Sequence, residues 1–225
     1  MKRLICVMIG MCLSIGLAVS LTGCTYVGAA AALMPPPTVQ PQYTRFAGQS
    51  IAVIVWADRG VRTDWPTIQL DLSNALTNKL KAETGKKKVL EGATFPLSSQ
   101  SIARFQEDHP ETEFAPIEST AVKLGVSRLI YIEIDELGTR SDTSNELFRG
   151  TAKGGVKVIE VENGVASVAY EERDIAVAFP TRGPKEGELR GNDYKMYIGV
   201  IDTMAYRIQN RFVPYEDDSD YGRSR

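Results

Sequence analysis

The stretch SIAVIVWAD, at residues 50–58, contains the feature that decides the fold. Residues 50–56 form a nearly continuous apolar run that is rich in β-branched side chains. A strand with one solvent-facing side would alternate apolar and polar residues, so this run predicts a central strand buried on both faces. The sequence therefore predicts a sheet that is covered on both sides at this strand.

A long helix is predicted to follow this strand. We expect it to open at Asp64-Trp65-Pro66, with Asp64 as the cap and Pro66 in the first turn. Its apolar stripe recurs every four residues and consists of Ile68, Leu72, Leu76 and Leu80. The helix is expected to end near Gly85. A short second strand is predicted at residues 89–90, after the lysine run at 86–88.

The second half of the chain predicts two shorter helices, three strands and a closing helix. The shorter helices are expected at residues 98–107 and 118–124, and a strong strand at 128–135. Asn163-Gly164, between alternating apolar runs, favours a type I′ hairpin turn, because both residues tolerate positive φ. Its strands are expected at 156–160 and 166–179. The last helix, at 194–212, has an apolar face at helical spacing formed by Tyr194, Tyr197, Ile198, Ile201, Ala205, Ile208 and Phe212.

Together these elements predict an α/β fold. We expect a single sandwich domain with a mixed β-sheet and packed helices, in the order β-α-β-α-β-β-β-α. The glycine-rich run at 150–155 lacks the spacing of a phosphate-binding loop and precedes a strand, so we interpret it as leading into the hairpin.

The amino terminus has the anatomy of an export signal. Lys2 and Arg3 precede an apolar run at residues 4–21, and Leu21-Thr22-Gly23-Cys24 follows. This tetrad resembles the lipobox of bacterial lipoproteins, in which the cysteine thiol receives diacylglycerol and cleavage falls just before it. The alternative interpretation is an ordinary cysteine in a membrane-spanning helix. We expect a signal peptide at 1–23, lipidated Cys24 with a proline-rich tether at 24–45, a globular domain at 46–212 and an acidic disordered tail at 213–225.

Composition and cysteine positions limit the classes of function. The formal net charge is -2, and no broad basic face is evident, so nucleic acid is not an expected partner. Cys6 and Cys12 lie inside the predicted signal peptide. Maturation would leave Cys24 as the last cysteine, and the exported domain could then form no internal disulfide.

Three segments carry a resemblance to a known group of exported proteins. They are SIAVIVWAD at 50–58, AVKLGVSRLIYIEIDEL at 121–137 and GVKVIEVENGVASVAYE at 155–171. Their pattern resembles bacterial lipoproteins of the curli-secretion (CsgG-like) and penicillin-binding-protein-activator kinds, which share a fold with the N-terminal domain of the Tol-system propeller protein (TolB-like). The chain departs from that pattern in the loop with Trp65-Pro66 and in residues 179–184, and it lacks strand pairs long enough for a pore.

Candidate site residues are few, and each has a simpler structural interpretation. His109 lies in a polar loop and is interpreted as solvated surface. Glu133 and Asp135 share one face of a strand and could form an acid–base pair, but a solvent-facing row is favoured. We predict no catalytic, cofactor-binding or metal-binding residues; zinc is disfavoured by the lone histidine. Trp56, Trp65 and Phe179 are the candidate partner contacts, since aromatic residues dominate binding energies.

The sequence favours a non-enzymatic function in the cell envelope. We expect a protein held on a membrane by its N-terminal lipid, with no cofactor, that binds an envelope protein or assembles. The outer membrane, facing the periplasm, is the expected location, because Thr25 rather than aspartate follows the cysteine. Two alternatives remain open: an exported carboxylate-dependent hydrolase that uses Glu133 and Asp135, and an accessory subunit of an outer-membrane transport complex.

Overall fold

The computed structural model describes residues 37–182 and 186–216. The predicted signal peptide, Cys24, most of the tether and residues 217–225 lie outside the described residues. The chain divides into two compact units. The first comprises Met1–Val39 and Glu216–Arg225, and the second comprises Gln40–Tyr215. The first unit contains strand β1, Thr38–Val39.

The second unit packs its helices against one sheet. Its strands are β2 (Ile51–Ala57), β3 (Arg128–Ser141), β4 (Ser144–Glu162) and β5 (Val165–Phe179), and the two-residue strand β6 (Tyr215–Glu216) begins at its end. Its helices are α1 (Arg59–Asp64), α2 (Ile68–Glu83), α3 (Ser99–Asp108), α4 (Ile117–Leu124) and α5 (Asp193–Gln209). Two single 3₁₀ turns occur at Lys88–Leu90 and Pro110–Glu113.

The sheet is mixed and has the strand order β2-β3-β4-β5. β2 runs parallel to β3, from the pair Ile51–Arg128 to the pair Ala57–Ile134, and the other two pairings are antiparallel. At the turn between β4 and β5, Asn163 has φ 52° and Gly164 has φ 78°. Positive φ at both positions is what a type I′ turn requires, so the predicted hairpin is confirmed.

Helices cover both faces of the sheet, as the apolar run of β2 requires. On one face, Val53 and Val55 pack with Ile130, Ile132 and residues of α2 and α5. On the other face, Ala52 and Ile54 pack with Ile102 of α3 and with Ala121 of α4. The α/β sandwich with a mixed sheet is therefore confirmed.

Two predictions in the segment after β2 are wrong. The predicted strand at residues 89–90 is instead the 3₁₀ turn Lys88–Leu90, which buries Leu90 without pairing to a strand. Asp64 is not the cap of the long helix, because the loop before that helix folds into α1. The carboxylate of Asp58 caps α1 by accepting from the Gly60 amide at 2.7 Å, and Asp64 is its last residue.

The apolar face of the last helix is confirmed in part, because Tyr197, Ile201, Ala205, Ile208 and Phe212 are buried as predicted. Tyr194 is 72% exposed and Ile198 is 43% exposed, whereas Met196, Val200 and Met204 are buried. Apolar residues occupy more than half of the circumference of α5, so spacing alone does not choose the buried side.

The glycine-rich run at 150–155 lies inside β4 rather than before it. A Cβ atom at Gly154 would overlap the carbonyl oxygen of Glu133, so glycine allows β3 and β4 to approach at this point. β3 continues beyond its predicted end at residue 135 to Ser141. β4 begins at Ser144, well before its predicted start at residue 156.

Candidate functional site

The amino-terminal end of the sheet fixes the segment that precedes β2. Tyr43, which falls within the predicted tether, is buried, and its hydroxyl donates to Glu160 Oε1 at 2.7 Å. Burial raises the pKa of Tyr43 above its usual range, and the hydrogen bond to Glu160 adds to this shift. Arg45 Nε lies 2.9 Å from the same carboxylate oxygen. We call the end of the sheet that carries these contacts the anchor end.

A second set of contacts holds the same segment against the end of α5. The amide of Gln42 donates to the carbonyl oxygen of Arg211 at 2.8 Å. The Tyr170 hydroxyl lies 2.6 Å from Gln42 Oε1 and 2.5 Å from Glu172 Oε2. Arg211 Nη2 donates to Glu172 Oε1 at 2.7 Å. The segment is therefore fixed to β4, β5 and the residues after α5.

The opposite end of β2 opens into a groove of about 410 Å³. It lies where α2 begins and α3 ends, beside the 3₁₀ turn Pro110–Glu113. We call it the carboxyl-end groove; it is lined by Trp56, Arg62, Pro66, Thr67, Gln69, Leu70, Ala103, Gln106, Glu107, Pro110 and Glu113. In open α/β sheets, the crevice at the carboxyl ends of parallel strands is where ligands most often bind.

The sheet face beyond α3 and α4 is open and charged. Two adjoining depressions of about 320 Å³ and about 310 Å³ share Tyr131, Glu133 and Asp135. We call this surface the open sheet face. Burial raises the pKa of Tyr131 to about 12, and the charges of Glu133, Asp135 and Glu113 add to this shift.

The carboxylates of the open sheet face are exposed. Glu133 and Asp135 lie on one side of β3 and face solvent, so the predicted solvent-facing row is confirmed. Neighbouring Glu171 is 3.5 Å from Lys157 Nζ and 2.7 Å from Arg173 Nε. These residues form a solvated surface of mixed charge that can attract a polar partner.

The three predicted aromatic contacts are largely enclosed. Trp56 is buried at the end of β2, and Trp65 stacks on Tyr197 with ring centroids 4.6 Å apart. Phe179 is half-buried and lies against Gly199 of α5. Their role as partner contacts stays a prediction.

Other apolar side chains, which the sequence did not single out, are more exposed. Phe114, at the rim of the open sheet face, is 87% exposed; Leu189 and Val165 are also exposed. Each lies in or beside a loop or turn, where periodicity gives no signal about burial.

His109 is exposed, and its Nδ1 lies 3.3 Å from Glu111 Oε1, so the predicted surface position is confirmed. Within residues 37–182 and 186–216, no group of three or more histidine, cysteine or acidic side chains is arranged to hold a metal ion. Over the same ranges, no helix combines the length and the apolar character needed to span a bilayer.

No family model matches the sequence, and no curated protein is detectably similar to it. Solved structures with a similar layout include the PelC dodecamer from Paraburkholderia phytofirmans, at 14% identity and a TM-score of 0.39, covering 77% of this chain and 95% of that one. Lipoprotein GNA1162 from Neisseria meningitidis has 11% identity and a TM-score of 0.42, covering 72% and 98%. The hypothetical protein CT253 from Chlamydia trachomatis has 16% identity and a TM-score of 0.34, covering 58% and 71%. At these values the similarities carry no argument about function.

Proposed function

We propose that the chain is a lipid-anchored protein of the cell envelope that acts without catalysis, by binding or assembling with envelope proteins. The lipid is attached at Cys24, and the domain faces the periplasm from the outer membrane. The resemblance of its strand and hairpin patterns to the curli-secretion and Tol-type lipoproteins is part of this proposal.

One observation carries the proposal: the anchor end and the carboxyl-end groove lie at opposite ends of β2. Tyr43 and Arg45 are fixed beside Arg128, which pairs with Ile51 at the start of the strand. Trp56, in the groove, pairs with Glu133 near its end. A strand rises by about 3.3 Å per residue, so the two ends are roughly 20 Å apart. The segment that leads back toward Cys24 therefore enters the second unit at the end of β2 opposite the groove.

The chemistry of the open sheet face supports binding. Glu133 and Asp135 expose their carboxylates to solvent. Exposed Phe114 stands at the rim of the same surface. A large aromatic side chain beside exposed charge is the composition that protein-binding surfaces favour.

A pair of cysteine variants tests the anchoring. Cys24→Ser is expected to abolish incorporation of a labelled fatty acid into the chain, because the thiol that receives the lipid is lost. Cys12→Ser, within the predicted signal peptide, is the matched control and should incorporate the label as wild type does. Equal labelling of both variants would contradict lipid anchoring at Cys24.

Photo-crosslinking in cells tests the binding. A photoreactive residue at Phe114 should trap a specific envelope protein, whereas one at exposed Asn78, on α2, should not. Crosslinking that is the same at both positions would count against a binding surface on the open sheet face. Turnover of a wall or lipid substrate that is lost in Glu133→Ala would instead support the hydrolase.

A further inference from the structure

The lysines near the end of α2 lie at the anchor end of the sheet. α2 runs antiparallel to β2. Near the start of the helix, Gln69 Nε2 donates to the carbonyl oxygen of Val55 at 2.8 Å. One turn later, Ser73 Oγ donates to that of Val53 at 2.8 Å. The helix therefore ends beside the beginning of β2, and we call residues 81–91, at and after its last turn, the lysine segment.

Backbone hydrogen bonds connect the lysine segment to the chain just before β2. The Gly48 amide donates to the carbonyl oxygen of Glu91 at 2.8 Å. Immediately beyond the segment, the Thr94 amide donates to the carbonyl oxygen of Gln49 at 2.9 Å. The lysine segment thus lies at the end of the sheet where the contacts of Tyr43 fix the incoming chain.

The lysines of this segment differ from the others in lacking carboxylate partners. Among the described residues, each lysine outside the segment has a carboxylate oxygen at 2.7 to 3.9 Å; the pairs are Lys79–Asp202, Lys123–Glu111, Lys153–Glu136, Lys157–Glu171 and Lys195–Glu188. Inside the segment, Lys86 is 3.7 Å from Glu83. Over the same described ranges, Lys81, Lys87 and Lys88 have no such contact, and Lys87 is half-buried while the other two are exposed.

The positive charge of the segment is not compensated by its surroundings. The segment carries four lysines against Glu83 and Glu91. The buried Glu160 carboxylate is already shared by Arg45 and Arg128. A cation in the last turn of a helix complements the helix dipole, which accounts for Lys81. That effect falls off beyond the last turn, so it does not account for residues 86–88.

We propose that the lysine segment contacts the anionic phospholipid headgroups of the bilayer that holds the lipid anchor. Basic segments are attracted to an anionic lipid surface within about one Debye length, about 10 Å at 0.1 M salt. An ammonium group also donates charge-assisted hydrogen bonds to phosphate oxygens. The inference rests on the proposed function and deepens it, because it names a lipid surface as a partner of the folded domain.

The lipid at Cys24 makes even a weak contact of this kind sufficient. Attachment to the bilayer converts the second contact into an intramolecular one, which raises its effective concentration. The contact turns the anchor end toward the bilayer. The carboxyl-end groove, at the other end of β2, then faces away from the bilayer.

Acetylation of lysines, measured by mass spectrometry, tests the contact on the mature lipoprotein inserted into preformed vesicles. The vesicles consist of phosphatidylcholine alone or of phosphatidylcholine mixed with phosphatidylglycerol. Phosphatidylglycerol should slow the acetylation of Lys81 and of residues 86–88 at least about threefold, because headgroup contact shields the amines. Salt at about 1 M, where the Debye length is about 3 Å, should restore it. The exposed Lys153 and Lys195, outside the segment, are internal controls and should react equally on both vesicles.

Two triple variants show whether charge in this segment is the cause. Lys86→Gln/Lys87→Gln/Lys88→Gln should abolish the protection of Lys81 by phosphatidylglycerol. Arg104→Gln/Lys153→Gln/Lys195→Gln removes the same number of charges from exposed positions outside the segment and should preserve that protection.

Three results would overturn the inference. The first is equal acetylation of the lysine segment on the two kinds of vesicle, and the second is protection of Lys81 that survives the first triple variant. The third is equal protection by inorganic phosphate on neutral vesicles, which would indicate a site for free phosphate. Retention of the protein on neutral vesicles reports the lipid at Cys24 separately, so a failure here is distinguishable from a failure of the proposed function.

Discussion

Arg128 and Glu160 face each other across β3 and β4, with Arg128 Nε 3.7 Å from Glu160 Oε1 and both side chains buried. The contact joins three parts of the chain, because Tyr43 donates to the same carboxylate. Arg128 also donates to the carbonyl oxygens of Arg45 and Ser127. The anchor end is therefore built around one buried carboxylate.

Removing that carboxylate should destabilise the domain strongly. Glu160→Ala removes the buried carboxylate beside Arg128, which keeps only the exposed Glu162 carboxylate at 3.5 Å, and it removes the 2.7 Å acceptor of the Tyr43 hydroxyl. Loss of one partner of a buried ion pair costs about 3–5 kcal/mol. Urea unfolding should show this loss, and Glu136→Ala, which removes an exposed pair with Lys153 across the same two strands, should cost much less because solvent screens that pair. Equal losses in the two variants would show that the anchor end does not stabilise the fold.

High pH should destabilise the domain through its enclosed tyrosines. Burial raises the pKa values of Tyr43, Tyr170 and Tyr197, and hydrogen bonds to Glu160, Glu172 and Asp71 add to this effect. A group whose pKa is raised by folding stabilises the fold below its unfolded pKa, here about 10, and loses that contribution as pH rises toward the folded value. The unfolding free energy should fall above pH ~10. Absorbance at the tyrosinate band should show these three side chains ionising only with unfolding, and ionisation of all tyrosines near pH ~10 in the folded protein would contradict this assignment.

Low pH should weaken the start of α5 through Asp193. Arg140 donates to both carboxylate oxygens, at 2.9 and 2.7 Å, and Thr139 donates to one at 2.6 Å. The hydrogen bonds from Arg140 and Thr139 lower the pKa of Asp193. A lowered pKa stabilises the fold above the unfolded value, about 3.9, and the contribution is lost as pH falls below it.

A neutral variant isolates this contribution. Asp193→Asn should lower the unfolding free energy at pH ~7 by about 1 kcal/mol or less, since the pair is partly exposed. The difference between variant and wild type should shrink below pH ~4. A difference that is constant with pH would mean that the charge of Asp193 does not act.

Gly199→Ala, a substitution that normally stabilises a helix, should destabilise this domain. A Cβ atom at this position of α5 would overlap the ring of Phe179. Overpacking of this kind costs about 1–3 kcal/mol, whereas alanine in an open helix position gains about 1 kcal/mol over glycine. Gly199→Ala should therefore lower the melting temperature of the wild-type domain. In a Phe179→Ala background, the same substitution should raise the melting temperature. Stabilisation in both backgrounds would show that Phe179 moves aside freely and is available to a partner.

The parts of the fold that depend on local sequence could be predicted. The apolar run of β2 and the Asn163-Gly164 turn each act over a few residues. Contacts between distant residues could not be predicted in the same way. Tyr43 and Glu160 are 117 positions apart, and nothing near either residue indicates their hydrogen bond.

The candidate site was predictable only in part, for a similar reason. Strand alternation places Glu133 and Asp135 correctly on one exposed face. The exposure of Phe114 and the enclosure of Trp56 depend on how loops pack around the end of β2. The strand order of the sheet is likewise contained in no local pattern.

Mass spectrometry of the mature chain, extracted from membranes, tests the central claim most directly. The account predicts an amino terminus at Cys24 that carries a diacylglyceryl thioether, with residues 1–23 removed. A chain that retains Met1 and an unmodified Cys24 thiol would contradict it.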